Sequence, residues 1–265
     1  MSTELNDLIQ QRFPGVTLES EVQGWAFLER FERGIEAFER TPDPTAKDDR
    51  WVGVCYFQAL RDMEALEALY RAANRGEEGA RVYLAHVLPF VERREDALIE
   101  MSRIRVDGLS NYDTALFYRI LSISEEGNGN LREALKAAET AWRHIQGVPE
   151  YNVLAPSILV QLAVLHGRIG RSQRALWFLE RGLAGTSGAE RLKVRMRRAT
   201  VLINLGRYRE AQIELDSFDL VSAPATSQAE RNWLLGEIAW ANGSMNLAVQ
   251  HYTEAIKLAT ELQFA

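Results

Sequence analysis

The sequence predicts an all-α chain, a solenoid of about six helix-turn-helix repeats behind an irregular N-terminal helical cap. Three observations predict it. Strand signals are missing: no apolar–polar alternation is sustained, and no Asn-Gly turn joins two such runs. Apolar residues instead recur three and four apart, in stretches broken every 12 to 20 residues by Gly, Pro, Asn or Ser. Above all, the same pattern of small residues returns along the chain at a nearly fixed period.

The elements follow in order. Leu5, Leu8, Ile9 and Phe13 share one face of a short helix. Ser20 with Gln23 has the spacing of a capping box, in which the first side chain caps a backbone N–H and the second reaches back. Trp25, Leu28, Phe31, Ile35 and Phe38 line a longer helix ending near Arg40, and Pro42 and Pro44 mark the break after it. Terminal repeats cap a stack and are atypical, so residues 1–45 read as the cap and residues 46–265 as one continuous repeat array.

Within the array, four glycines each precede an alanine by five residues: Gly129 and Ala134, Gly170 and Ala175, Gly206 and Ala211, Gly243 and Ala248. Seven residues before each glycine stands a small residue, Ser122, Ala163, Ala199 or Gly236. Four after each alanine come Ala138, Leu179, Leu215 and Tyr252, and three further on Ala141, Gly182, Phe218 and Ala255. The frame extends upstream without its glycine, as Ala65, Leu69 and Ala72 behind Gly53, and as Ala97, Met101 and Ile104 behind Ala85. The anchors 65, 97, 134, 175, 211 and 248 lie 32, 37, 41, 36 and 37 residues apart. Glycine takes the left-handed conformation past a helix end without steric penalty, so each glycine ends the first helix of a pair. The small residues let the two helices approach, and the residues four and seven beyond the alanine share one face of the second helix. Asn130 with Glu133, Ser187 with Glu190 and Ser227 with Glu230 give further helix starts; Pro149 and Pro224 give breaks, and Pro89 should kink or shorten its helix.

This set of small and large positions resembles the tetratricopeptide repeat family, whose unit is a 34-residue helix hairpin. The stretch from Asn204 to Ala211, NLGRYREA, is closest to the family's turn, and the likeness covers residues 46–262, weakening toward the N-terminus. The units here often exceed 34 residues, and the family's proline after the second helix is mostly missing. The resemblance implies a right-handed superhelix whose inner groove is lined by the first helix of each pair. Carried over position by position, it places Arg50, Phe57, Val82, His86, Phe90, Arg119 and Ile123 in that groove, followed by Arg168, Lys193, Met196, Thr200, Asn204, Trp233, Glu237 and Trp240. The Lys, Asn and Arg set with which some members grip a C-terminal carboxylate does not occur. A groove apolar in its middle suits a helix or an extended segment with hydrophobic anchors. Trp233 and Trp240, seven apart on one face, read either as binding anchors or as packing between repeats.

Composition narrows the function. Lys plus Arg is 31 against 37 Asp plus Glu, a net charge of −6, which argues against general nucleic-acid binding. Arg191, Lys193, Arg195, Arg197 and Arg198 form a basic run that reads either as a surface for an acidic partner or a phosphate backbone, or as a solvated helix with acidic neighbours. Cys55 is the single cysteine, in an apolar stretch that suits an inert buried thiol. The four histidines show no metal-ligand spacing, and His166 falls at a packing position of the repeat. No nucleotide-binding or hydrolase motif occurs, so no catalytic residue, cofactor or metal is expected. No signal peptide or membrane-length apolar run is present, and a cytoplasmic setting is expected. The partner expected is another protein or a peptide, with neither membrane nor nucleic acid. The apolar C-terminal end, Phe264 and Ala265, reads as part of a longer protein or as a face for homo-oligomerisation. Two functions remain open: an interaction scaffold, or a sensory or regulatory module of a larger bacterial signalling or transcription regulator.

Overall fold

The computed structural model describes residues 3–184, 186, 188–217 and 225–263. Fifteen α-helices and no strand occur among them. The chain divides into two compact units, residues 1–128 with 136–154, and residues 129–135 with 155–265.

The first unit opens with α1 (Thr3–Arg12), α2 (Glu21–Phe27) and α3 (Phe31–Glu39). The hairpins α4 (Ala46–Gln58) with α5 (Asp62–Asn74), and α6 (Glu78–Val87) with α7 (Arg94–Arg103), follow, and then α8 (Asn111–Gly127). Ser20 caps α2 by accepting from the Gln23 N–H at 3.1 Å, as expected. The Gln23 side chain reaches one residue further back than a capping box, accepting from Glu19 N–H at 2.6 Å. The single helix expected from Trp25 to Phe38 is instead two. Glu29 turns left-handed at φ 57° between α2 and α3, which pack on each other and on α4. Folding back lets Trp25, Phe27 and Ile35 all reach the core, each 5% exposed or less. The sequence also concealed the cap of α4, where Thr45 and Asp48 exchange side-chain-to-backbone hydrogen bonds of 3.2 and 2.9 Å. Pro89 shortens α6 as expected, and the chain continues as a 3₁₀ turn, Leu88–Val91.

Helices α9 (Leu131–Ile145) and α10 (Tyr151–Arg168) run from one unit into the other. The second unit holds α11 (Ser172–Ala184), α12 (Gly188–Asn204), α13 (Tyr208–Asp216), α14 (Ala225–Ala241) and α15 (Met245–Gln263). Helix α14 starts two residues before the Ser227 cap expected from the sequence. Ser187, the side chain of Glu190, Phe218, Pro224, Phe264 and Ala265 lie outside the description.

The anchor positions of the repeat frame are buried, whereas Ile104 lies past the end of α7 in extended conformation. All six anchor alanines are 3% exposed or less, and Ser122, Ala163 and Ala199 are likewise buried. Gly129, Gly170, Gly206 and Gly243 all lie at φ between 71° and 82°. In three of these turns the N–H after the glycine bonds the carbonyl five residues back: Arg171 to His166 at 2.8 Å, Arg207 to Leu202 at 2.9 Å, and Ser244 to Ala239 at 2.9 Å. That bond satisfies a carbonyl the helix end would otherwise orphan. The glycine-free hairpins use the same turn. Leu60 and Glu92 stand five residues before Ala65 and Ala97, at φ 60° and 61°, with Arg61 N–H to Tyr56 O at 2.9 Å and Arg93 N–H to Leu88 O at 3.0 Å. So does α2–α3: Arg30 N–H meets Trp25 O at 3.0 Å, and Gly34 holds the anchor position. A Cβ on Gly34 would lie 2.5 Å from Cys55 Sγ. Residues 21–39, within the stretch expected as the cap, form a helix hairpin closed by the same turn.

Candidate functional site

The expected binding-face residues fall in both units. In the first, Phe57 on α4, His86 on α6 and Phe90 in the following turn form one aromatic cluster. Ring centroids lie 5.7 Å apart for Phe57–His86, 5.3 Å for Phe57–Phe90 and 5.5 Å for His86–Phe90, all edge-to-face. That geometry suits the ring quadrupoles. Phe90 is 64% exposed. Burial holds the His86 imidazole down at about 4, and the charge of Arg119 adds to this, so the ring is neutral at pH 7. Arg119 is half-buried and Ile123 exposed on α8.

Two residues expected on this face belong to the interior. Val82 is fully buried, because α6 is flanked by α4, α5, α7 and α8 and only the part near His86 stays open. Arg50 is also buried. Its guanidinium donates to Glu77 at 3.0 Å and to both Asp113 oxygens, and lies 4.7 Å from the Trp51 ring and 5.2 Å from Tyr83. A charge taken out of water needs such compensation, so Arg50 ties α4 to α8 instead of facing a partner. Beside it lies a cavity of about 230 Å³, whose lining includes Thr17, Glu19, Lys47, Trp51 and Glu150.

In the second unit Arg168, Lys193 and Asn204 are exposed, and Thr200 is half-buried with its hydroxyl bonded to Met196 O at 3.0 Å. Met196, expected on the face, is core: α12 is packed by α11, α13 and α14, and Met196 is 2% exposed. Trp233 and Trp240 on α14 stay 51% and 58% exposed, with Glu237 between them. Trp233 also leans on Tyr252 of α15, ring centroids 5.1 Å apart. The Tyr252 hydroxyl donates to Glu237 Oε1 at 2.6 Å. The Tyr252 ring is accommodated because position 236 is glycine; a Cβ there would approach it to 2.5 Å. The sequence marked Tyr252 and Gly236 only as packing positions, because the hydrogen bond joins two helices.

The remaining candidates resolve as structure. Three of the five basic residues on α12 meet acidic neighbours: Arg195 and Arg198 pair with Glu214, Arg198 also with Glu180 at 3.6 Å, and Arg197 with Glu230 at 3.4 Å. His166 is fully buried, stacked on Phe178 at 5.3 Å, with neither ring nitrogen hydrogen-bonded. Burial, with Arg174 and Arg171, lowers its pKa. Burial raises the Cys55 thiol to about 12, with Glu32 adding to the shift, so it stays protonated at neutral pH. Among the described residues no cluster of His, Cys, Asp and Glu could hold a metal ion, and no helix is long and apolar enough to cross a membrane.

Residues 229–261, the α14–α15 hairpin, match the family described as tetratricopeptide repeat. No curated protein matches the chain. Among solved structures it is similar to the APC/C hetero-tetramer Cut9-Hcn1, with a TM-score of 0.73 and 15% identity over 97% of this chain and 49% of that one. It thus spans about half the length of that chain. It is also similar to pilF of Pseudomonas aeruginosa, with a TM-score of 0.58 and 16% identity over 82% of this chain and 97% of that one. A third is NprR in complex with its cognate peptide NprX, with a TM-score of 0.55 and 14% identity over 97% and 90%. At these identities the likeness is one of fold, and the fold is that of a tetratricopeptide-type helical repeat protein.

Proposed function

We propose that this tetratricopeptide-type array is a protein-interaction scaffold, whose open first-helix faces bind a peptide or helical segment of a partner. The observation that carries the reading is aromatic surface left in water on those faces: Phe90 at 64%, Trp233 at 51% and Trp240 at 58% exposure. Apolar surface gains about 25 cal/mol per Å² when covered, and such side chains are the usual anchors of an interface. The faces are preformed on packed helices, so the protein side loses little ordering entropy on binding. Two structures of like fold were determined with bound protein or peptide, Cut9 with Hcn1 and NprR with NprX. No catalytic role is proposed for any residue.

Affinity capture from the native lysate tests this, comparing the chain with a Phe90→Ala, Trp233→Ala, Trp240→Ala variant. All three side chains are exposed, so the variant should fold. A specific protein retained by the first and lost by the second is the expected result. Equal retention by both, or nothing specific on either, would remove the scaffold reading.

A second reading is supported by the likeness to NprR with its peptide, which extends over 90% of that chain. In it the array is the sensory module of a larger bacterial regulator and answers to a small peptide. Changed compactness of the chain on adding a peptide ligand, read by small-angle scattering, distinguishes it from a rigid scaffold.

A further inference from the structure

We infer that Trp233, Glu237 and Trp240 form a site for a single cationic side chain, the guanidinium or ammonium of an Arg or Lys in the bound partner segment. The inference rests on the scaffold reading and names the chemistry of what is bound.

The spacing comes first. The three residues lie at i, i+4 and i+7 on α14 and so share one face. Two positions seven apart on a helix are separated by about 10 Å along its axis. Two indoles spread over that interval can both address one cation seated between them, since an aromatic face attracts a cation out to about 6 Å from its centre. Glu237 falls between them along the helix and supplies the formal charge.

The charge is available. Glu237 has no ion-pair partner among the described residues, and its one polar contact is the Tyr252 hydroxyl on Oε1. That bond, with Trp233 resting on the Tyr252 ring, anchors carboxylate and indole to α15 and lowers the entropy lost on binding. The nearest basic residue along α14, Arg231, is engaged elsewhere, with Leu215 O at 2.8 Å and Asp216 at 3.5 Å. The net charge of −6 attracts a cationic partner from a distance and opposes an anionic one. The first-unit aromatic cluster offers no such arrangement, since its third member is a neutral imidazole instead of a carboxylate.

The test uses the full chain labelled with ¹⁵N, titrated with N-acetyl-arginine amide and separately with its neutral norleucine counterpart. The indole N–H signals of Trp233 and Trp240 are assigned by their loss in the Trp→Ala variants. Saturable shifts of those two signals with arginine, and none with norleucine, are expected. Glu237→Gln keeps an acceptor for Tyr252 and should weaken arginine binding about tenfold; Trp240→Ala should abolish it. Absence of a saturable shift, equal shifts with norleucine, or unchanged affinity in Glu237→Gln would each overturn the site. Such a failure leaves the scaffold reading standing, because protein capture reads that separately. Failed capture with intact arginine shifts would do the reverse.

Discussion

Ala211 shows how much a single methyl group settles in this fold. It is fully buried in α13, which packs on α12, and its counterparts at the other five anchors are 3% exposed or less. Close packing leaves no room there for a larger side chain. Ala211→Leu should therefore overpack the hairpin and cost about 1–3 kcal/mol, read as a lowered urea midpoint with unchanged slope. An unchanged midpoint would mean that the two helices do not meet at Ala211. Such positions are legible in the sequence because size alone decides them. Arg50 was not legible. Nothing in its neighbourhood along the chain announces that Glu77 and Asp113, 27 and 63 residues away, will close around it.

At the scale of the element, the turn between paired helices is the recurring device. Four of the turns have glycine at the left-handed position and were readable. Glu29, Leu60 and Glu92 adopt the same conformation without it, and there the sequence signal fails although the hydrogen bond persists. A side chain in that conformation costs about 1–2 kcal/mol, offset in part because glycine is freer when unfolded. Leu60 is 88% exposed and gives up little packing when removed. Leu60→Gly should thus raise stability by about 0.5–1 kcal/mol, measurable in the same urea titration. A loss of stability would show that the Leu60 side chain supports the turn.

For the whole molecule, the two compact units share a liability to acid. His86 in the first and His166 in the second are both held neutral, with pKa lowered chiefly by burial, His86 to about 4. Unfolded, each would titrate near 6.5. Below that pH the unfolded chain binds protons that the folded chain refuses, so stability falls as pH drops from about 6.5, at most ~1.4 kcal/mol per pH unit for each ring. For His86 the loss continues down to about pH 4. Urea midpoints at pH 7.5 and 5.5 should differ in this direction, and His166→Leu should reduce the difference. A midpoint that rises on acidification would overturn the assignment of these rings as neutral.

The all-helical class, the hairpin repeat and the small residues at its helix contacts are legible in the sequence alone. Each depends on a local property of a residue type: helical periodicity, the room a side chain occupies, or the φ angle it tolerates. Only the tertiary structure decided which side of each helix stays open. Val82 and His86 share a helix face, yet Val82 is fully buried while the His86 ring is only partly covered. Met196 is covered, while Trp233 remains exposed. Exposure is set by neighbours distant along the chain. The same holds for Glu237, whose orientation depends on a tyrosine hydroxyl of the next helix.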